Sequence, residues 1–185
     1  MDIPTYVYNI LNSVKIGQIS PEVHTDFTQR TSDPAYLDAL ICFLCNPNED
    51  PTIRSIAGHS LKSNLQGIND PQSVCVRITA CLTEENPTVR KALYSVYSTG
   101  FAKWGWCDAL LFIQNSFSST ATSGYGLELL SLIAEDLTPE SAQFLADPSR
   151  SNTLEGIIYS LLGYIRCGEL LAVTCYTRLL SVRLP

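Results

Sequence analysis

Few side chains here could do chemistry: seven cysteines and two histidines in 185 residues. Cys42 and Cys45 stand in Cys-x-x-Cys spacing within "LICFLC". A zinc site of that type needs a second pair at similar spacing, whereas Cys75 and Cys81 have five residues between them. All four lie in apolar-periodic stretches, the pattern of helix-borne core thiols. A redox thiol wants exposure at a helix start, and Cys42 sits mid-stripe. An odd number of cysteines without a regular framework fits a reducing compartment. His24 and His59 are the groups that would titrate near neutral pH. His59, between Gly58 and Ser60, raises the idea of a small helical hydrolase with a Ser or Cys nucleophile. No Gly-x-Ser-x-Gly elbow, phosphate loop or His-Glu-x-x-His motif accompanies it. "SGYG" at Ser123 has no preceding strand and no Lys, so it reads as a helix start. The expectation is a protein without catalytic residues, metal or cofactor.

Charge points the same way. A net charge of −6 disfavours nucleic acid or an anionic membrane surface as the main partner, since both need a basic face. The most apolar region, Leu154 to Leu180, is broken by Arg166, Glu169 and Arg178, so no membrane span and a soluble protein are expected. Met1-Asp2 does not open a secretory leader. At 45% hydrophobic and 16% charged the composition is globular, and the length suits one domain, 1–185, with a real core.

The elements are helices. Ile3, Tyr6, Val7, Ile10, Leu11 and Val14 recur at helical spacing, as do Leu37, Leu40, Ile41, Leu44 and Cys45. Asp-Pro or Asn-Pro punctuates the chain at Asp33, Asn46, Asp50, Asp70, Asn86 and Asp147, which is cap-then-first-turn chemistry. The spacing predicts helices over 3–14, 21–30, 34–46, 51–66, 71–84, 87–103, 106–118, 124–146, 151–167 and 169–183, with no period-two strand. Trp104-Gly105-Trp106 reads as a corner, an exposed aromatic patch or, more commonly, a plug between elements.

Two stretches share a phrase. "EDPTIRSIAGHSLKSNL" starts at Glu49 and "ENPTVRKALYSVYSTG" at Glu85, each an acid, a cap, Pro-Thr, a β-branched residue and Arg. Pro51 and Pro87 are 36 residues apart, as are Arg54 and Arg90. Paired helices at a period of about 36–40 residues are the mark of an α-solenoid, each pair covering its neighbour's apolar face. An all-α superhelix of about five antiparallel helix pairs is therefore expected. A compact helical bundle explains the stripes equally well, but not the shared phrase. Asp50, Arg54, Asn86 and Arg90 would form a ladder, each Arg reaching the polar turn of the next repeat.

Pro-x-β-branched-Arg-x-x-Ala at Pro51 to Ala57 resembles the HEAT repeat. Arg54, Ala57, Gly58, Leu61, Lys62 and Asn64, in "RSIAGHSLKSN", resemble the second repeat of the importin-β (karyopherin-β) family of nuclear transport receptors. "WCDALL" from Trp106 is similar to that family's Trp-Pro-Asp/Glu-Leu-Leu, and "LELLSLIAEDLTPE" from Leu127 to the helix that follows it. The order and spacing match from Ile3 to Leu180, and the transportin branch is nearest in pattern. Ser63 and Cys107 depart from the family's Asn and Pro, and 15–32 is short for a full second helix of the first repeat.

The resemblance implies HEAT pairs whose second helices bind the GTPase Ran in its GTP form on a concave face. It places candidate contacts at Arg54, Ser55, Lys62 and Asn64 on 51–66 and at Arg90, Lys91 and Tyr94 on 87–103, with the structural ladder as the competing role for both arginines. It implies an N-terminal fragment or truncated relative without the cargo arch, found in cytoplasm and nucleus. Nucleoporins and cargo become partners only if the chain belongs to a longer receptor. A generic HEAT scaffold or adaptor shares the fold and the Asp–Arg phrases but not the "AGxxLKxN" and "WxxxLL" signatures.

Overall fold

The computed structural model describes residues 2–18, 20–21, 25, 27, 29–30, 33–106, 108–145 and 147–181. The described residues are helical, with no strand among them. The elements are α1 (Ile3–Lys15), α2 (Pro34–Cys45), α3 (Pro51–Ser63), α4 (Pro71–Thr79), α5 (Pro87–Trp104), α6 (Asp108–Ser116), α7 (Ser123–Asp136), α8 (Pro139–Ala142), α9 (Ser151–Arg166) and α10 (Leu170–Ser181). Short 3-10 turns lie at Leu65–Gly67 and Pro148–Arg150. The expected helix over 21–30, and His24 within it, fall largely outside the described residues.

The starts follow from cap chemistry. Asp2, Asp33, Asp50 and Asp70 each accept a first-turn N–H just ahead of a proline. Asn86 accepts from Thr88 and Val89 at 3.0 and 3.2 Å. Each proline spends no N–H where none is needed, and each cap satisfies a donor the helix leaves open. Asn46 does the opposite job: it follows the last turn of α2 and accepts the Asn48 N–H in a turn.

Three helices end earlier than their stripes. α3 stops at Ser63 and gives way to the 3-10 turn. α4 stops at Thr79, although Leu82 beyond it is fully buried. There the chain continues as turns, with Cys81 and Leu82 donating to Ile78 and Thr79. α7 ends at Asp136 because Thr138 and Ser141 close a capping box around Pro139 and start α8. The apolar period runs on through these breaks, since a turn buries side chains as a helix does.

The chain forms two compact units, Met1–Val96 and Tyr97–Pro185. In the first, α1 packs on α2 and α3, α2 on α3, and α4 on α2. Val7, Leu11, Leu40, Leu44, Ile53, Leu61, Ile78 and Leu93 are the heart of its core. In the second, α6 pairs with α7 and α9 with α10, while α6 also meets α9 and α7 meets α10. Its core gathers Phe101, Trp106, Ile113, Leu129, Ile133, Ile157, Leu161 and Cys175. Full burial of each such side chain contributes about 1.5–3 kcal/mol relative to exposure. No helix among the described residues is long and apolar enough to cross a membrane.

Candidate functional site

The shared phrase folds into one connected polar cluster in the first unit. Asp50 and Asn86 start α3 and α5, and Arg54 and Arg90 sit one turn in. Arg54 lies under the surface, 4% exposed. Its Nε donates to the Leu44 carbonyl at 3.1 Å, closing the end of α2. Its other arm donates to Glu84 Oε2 at 2.5 Å. Glu84 Oε1 in turn accepts the Asn86 N–H at 2.9 Å. Arg90 turns back and donates to the carbonyls of Glu84 and Glu85, each at 3.0 Å. Tyr94 Oη closes the far side by donating to the Leu82 carbonyl at 2.8 Å. The turn 80–86 is thus held by a cation, a phenol and a cap.

The partners differ from an Asp–Arg ladder. Arg54 reaches the turn ahead of α5, where the acid is Glu84 rather than a cap. Asp50 pairs instead with Lys15 at the end of α1, at 2.8 Å. That contact and the Ile53 N–H hold the Asp50 carboxyl below its ordinary range. A carboxyl held low stabilises the fold above its unfolded value, and the contribution is lost as pH falls through the folded value. Lys15→Met is expected to move that loss to higher pH. Urea midpoints measured from pH 5 downward check it, and an unchanged acid limb would dismiss the pairing.

Burial sorts the residues placed by the resemblance on a partner-facing surface. Arg54, Ser55 and Tyr94 are 4, 6 and 1% exposed, so their side chains serve packing and are not offered to a partner. Arg90 is half-buried and engaged with the turn. Lys62 is half-buried and donates to Ser95 Oγ of α5 at 2.8 Å. Asn64 caps the end of α3 through Nδ2 on the Ser60 carbonyl at 2.7 Å. Lys91 is exposed. Of these candidates Lys91 alone is exposed, beside the exposed His59 of α3, while Lys62 and Asn64 are half-buried at the edge of the surface.

α3 and α5 approach closely between those points. A Cβ on Gly58 would sit 2.8 Å from the Ala92 Cβ. Gly58, opposite a small residue, lets α3 and α5 lie against each other. The second unit repeats the theme: Ser98 donates to the Leu132 carbonyl and to Asp136 at 2.9 and 2.7 Å. Arg178 of α10 reaches Glu135 of α7 at 2.5 Å.

The tryptophan corner is a plug. Trp106 is 2% exposed, edge-on to Tyr97 at 5.3 Å, and Trp104 stacks on it at 5.5 Å. Lys103 Nζ lies 4.7 Å above the Trp104 ring. Cys107 lies outside the described residues.

Reading the sequence missed Glu84, Lys15 and Ser95. The available signal for Glu84 was its place in the acidic run Glu84-Glu85 before the Asn86 cap. Comparison with protein-family models gives no match, and no curated protein matches the chain.

Proposed function

We propose that the chain is a stack of HEAT-type helix pairs that binds a protein partner. The partner proposed is Ran in its GTP form, within an importin-β-like nuclear transport receptor of the transportin branch that moves between cytoplasm and nucleus. Binding is its proposed activity, with no catalytic step. The observation that carries the solenoid is the side-by-side seating of α3 and α5, through Gly58–Ala92 and Lys62–Ser95, with Arg54 reaching Glu84 in the turn ahead of α5. Contacts of each pair with the next are what a repeat stack requires. Ran as the partner rests on "RSIAGHSLKSN" and its companion phrases. Lys91, exposed on α5, and the half-buried Lys62 of α3 suit an acidic patch on a partner.

Biolayer interferometry against Ran loaded with a GTP analogue or with GDP tests this. The expected result is binding that prefers the GTP form, weakened about tenfold by Lys91→Glu, which corresponds to about 1.4 kcal/mol. Lys62→Glu is expected to weaken it similarly, with the circular dichroism of both variants unchanged. No affinity, or equal affinity for both nucleotide states, would sink the Ran reading.

A generic helical-repeat scaffold is the second reading. What favours it is that Arg54, Ser55 and Tyr94 are spent on packing. A pull-down from the source cell that returns a stable partner other than Ran, together with a negative binding assay, would select it.

A further inference from the structure

Three of the four cysteines that the sequence offers as core thiols, Cys42, Cys45 and Cys81, form a cluster around Arg77. Asp38, Cys42 and Cys45 stand four and three residues apart, on one side of α2. They face Arg77 near the end of α4 and Cys81 one turn later. Arg77 ion-pairs with Asp38 and donates through its other arm to Cys42 Sγ at 3.1 Å. The Cys45 and Cys81 thiols both point at the Arg77 carbonyl, at 3.9 and 3.5 Å. Cys81 Sγ also lies 3.9 Å from the Cys45 carbonyl, so the two thiols converge on one pair of backbone carbonyls. Both residues are half-buried, so small reagents have access.

We propose that Cys45 and Cys81 are a redox thiol pair, which a peroxide oxidises to a disulfide tying the end of α2 to the turn after α4. Electrostatics assign the roles. The neighbouring Cys45 side chain, with Arg54 and Arg77 nearby, brings Cys81 down to about 7, while the Cys81 side chain and burial push Cys45 up. Cys81 is therefore the nucleophile, since the thiolate is the reactive form. Its sulfur attacks one peroxide oxygen, the O–O bond breaks and hydroxide leaves, giving a sulfenic acid. The Cys45 sulfur then attacks the Cys81 sulfur. The S–S bond forms, the S–O bond breaks, and the oxygen leaves as water with the Cys45 proton. Two thiols and one peroxide become one disulfide and two waters. The turn so tied is the one that Arg54 and Tyr94 hold through Glu84 and Leu82. The proposal is independent of which partner the chain binds.

The test is intact mass and disulfide mapping of the purified wild-type chain after hydrogen peroxide at neutral pH. Trypsin with chymotrypsin cuts after Phe43 and so separates Cys42 from Cys45. The expected result is loss of two hydrogen atoms and a linked peptide pair carrying Cys45 and Cys81, reversed by dithiothreitol. Cys42→Ser retains the link and Cys81→Ser abolishes it. A link from Cys81 to Cys42, oxidation of Cys81 to the sulfinic acid with Cys45 free, or no change in mass would each overturn the proposal.

Discussion

Arg54→Leu is expected to cost the first unit about 3–5 kcal/mol, the range for breaking a buried ion pair from one side. The side chains of Arg54 and Glu84 are 5 and 14% exposed. Removing the guanidinium strands the Glu84 carboxylate where water reaches it poorly. It also takes the donor from the Leu44 carbonyl at the end of α2. The damage is thus a buried charge and a buried acceptor together. Arg54→Leu combined with Glu84→Leu should recover most of the loss, because an apolar pair of similar volume often replaces a buried ion pair without penalty. The residual costs are the Leu44 carbonyl, still without its donor, and the Asn86 N–H, which loses the Glu84 oxygen. Arg178–Glu135 is the contrasting case, with side chains 36 and 46% exposed. Solvent screening discounts it, and Arg178→Ala is expected to cost under about 1 kcal/mol. Urea titrations of the variants decide this. A loss below about 1 kcal/mol for Arg54→Leu would show the pair to be no stronger than a surface one.

How much of this was readable beforehand differs by feature. The helix starts were legible because Asp-Pro and Asn-Pro are local signals whose donors lie within the same turn. Arg54's direction was legible from its place one turn after Pro51, but its acceptor was not. Repeat logic looks for the acceptor at the next cap, and the cap there, Asn86, is occupied by the first turn of its own helix. Glu84 serves because it stands just ahead of Asn86 and bonds both the cap's N–H and the neighbour's arginine. The end of α4 was misplaced because Leu82 keeps the apolar period after the helical bonds have ended. The Thr138-Pro139 break was visible as a cap and a proline, and the long stripe from Leu127 masked it. The Cys45–Cys81 contact had no local signal, since it depends on how α2 and α4 pack. On the candidate surface, the resemblance named Lys62, Lys91, Tyr94 and Ser55 together and could not show that Tyr94 and Ser55 turn inward, because polar groups on a packed helix can be satisfied inside.

Gly100→Ala is expected to destabilise the second unit, against the ordinary trend. In a helix interior that substitution normally stabilises by about 1 kcal/mol. Gly163 of α9 has open space around a new Cβ and should follow the trend. At Gly100 the Cβ would lie 2.4 Å from two ring atoms of Trp106. That ring cannot yield, being 2% exposed and wedged between Tyr97 and Trp104. Overpacking of this kind costs about 1–3 kcal/mol, which outweighs the propensity gain. Trp106→Leu alone opens a cavity and costs about 2–5 kcal/mol, yet it makes room for the new methyl. In that background Gly100→Ala should become neutral or stabilising, and the double-mutant cycle measures the contact directly. Gly105 sharpens the comparison. Its φ is +65° and its Cβ would meet the Phe144 ring at 2.6 Å, so Gly105→Ala adds backbone strain to a clash. Urea midpoints with near-ultraviolet circular dichroism of the tryptophans follow all of these variants. If Gly100→Ala stabilises as Gly163→Ala does, the tryptophan corner yields to a methyl group, and Gly100 is not what lets Trp106 seat.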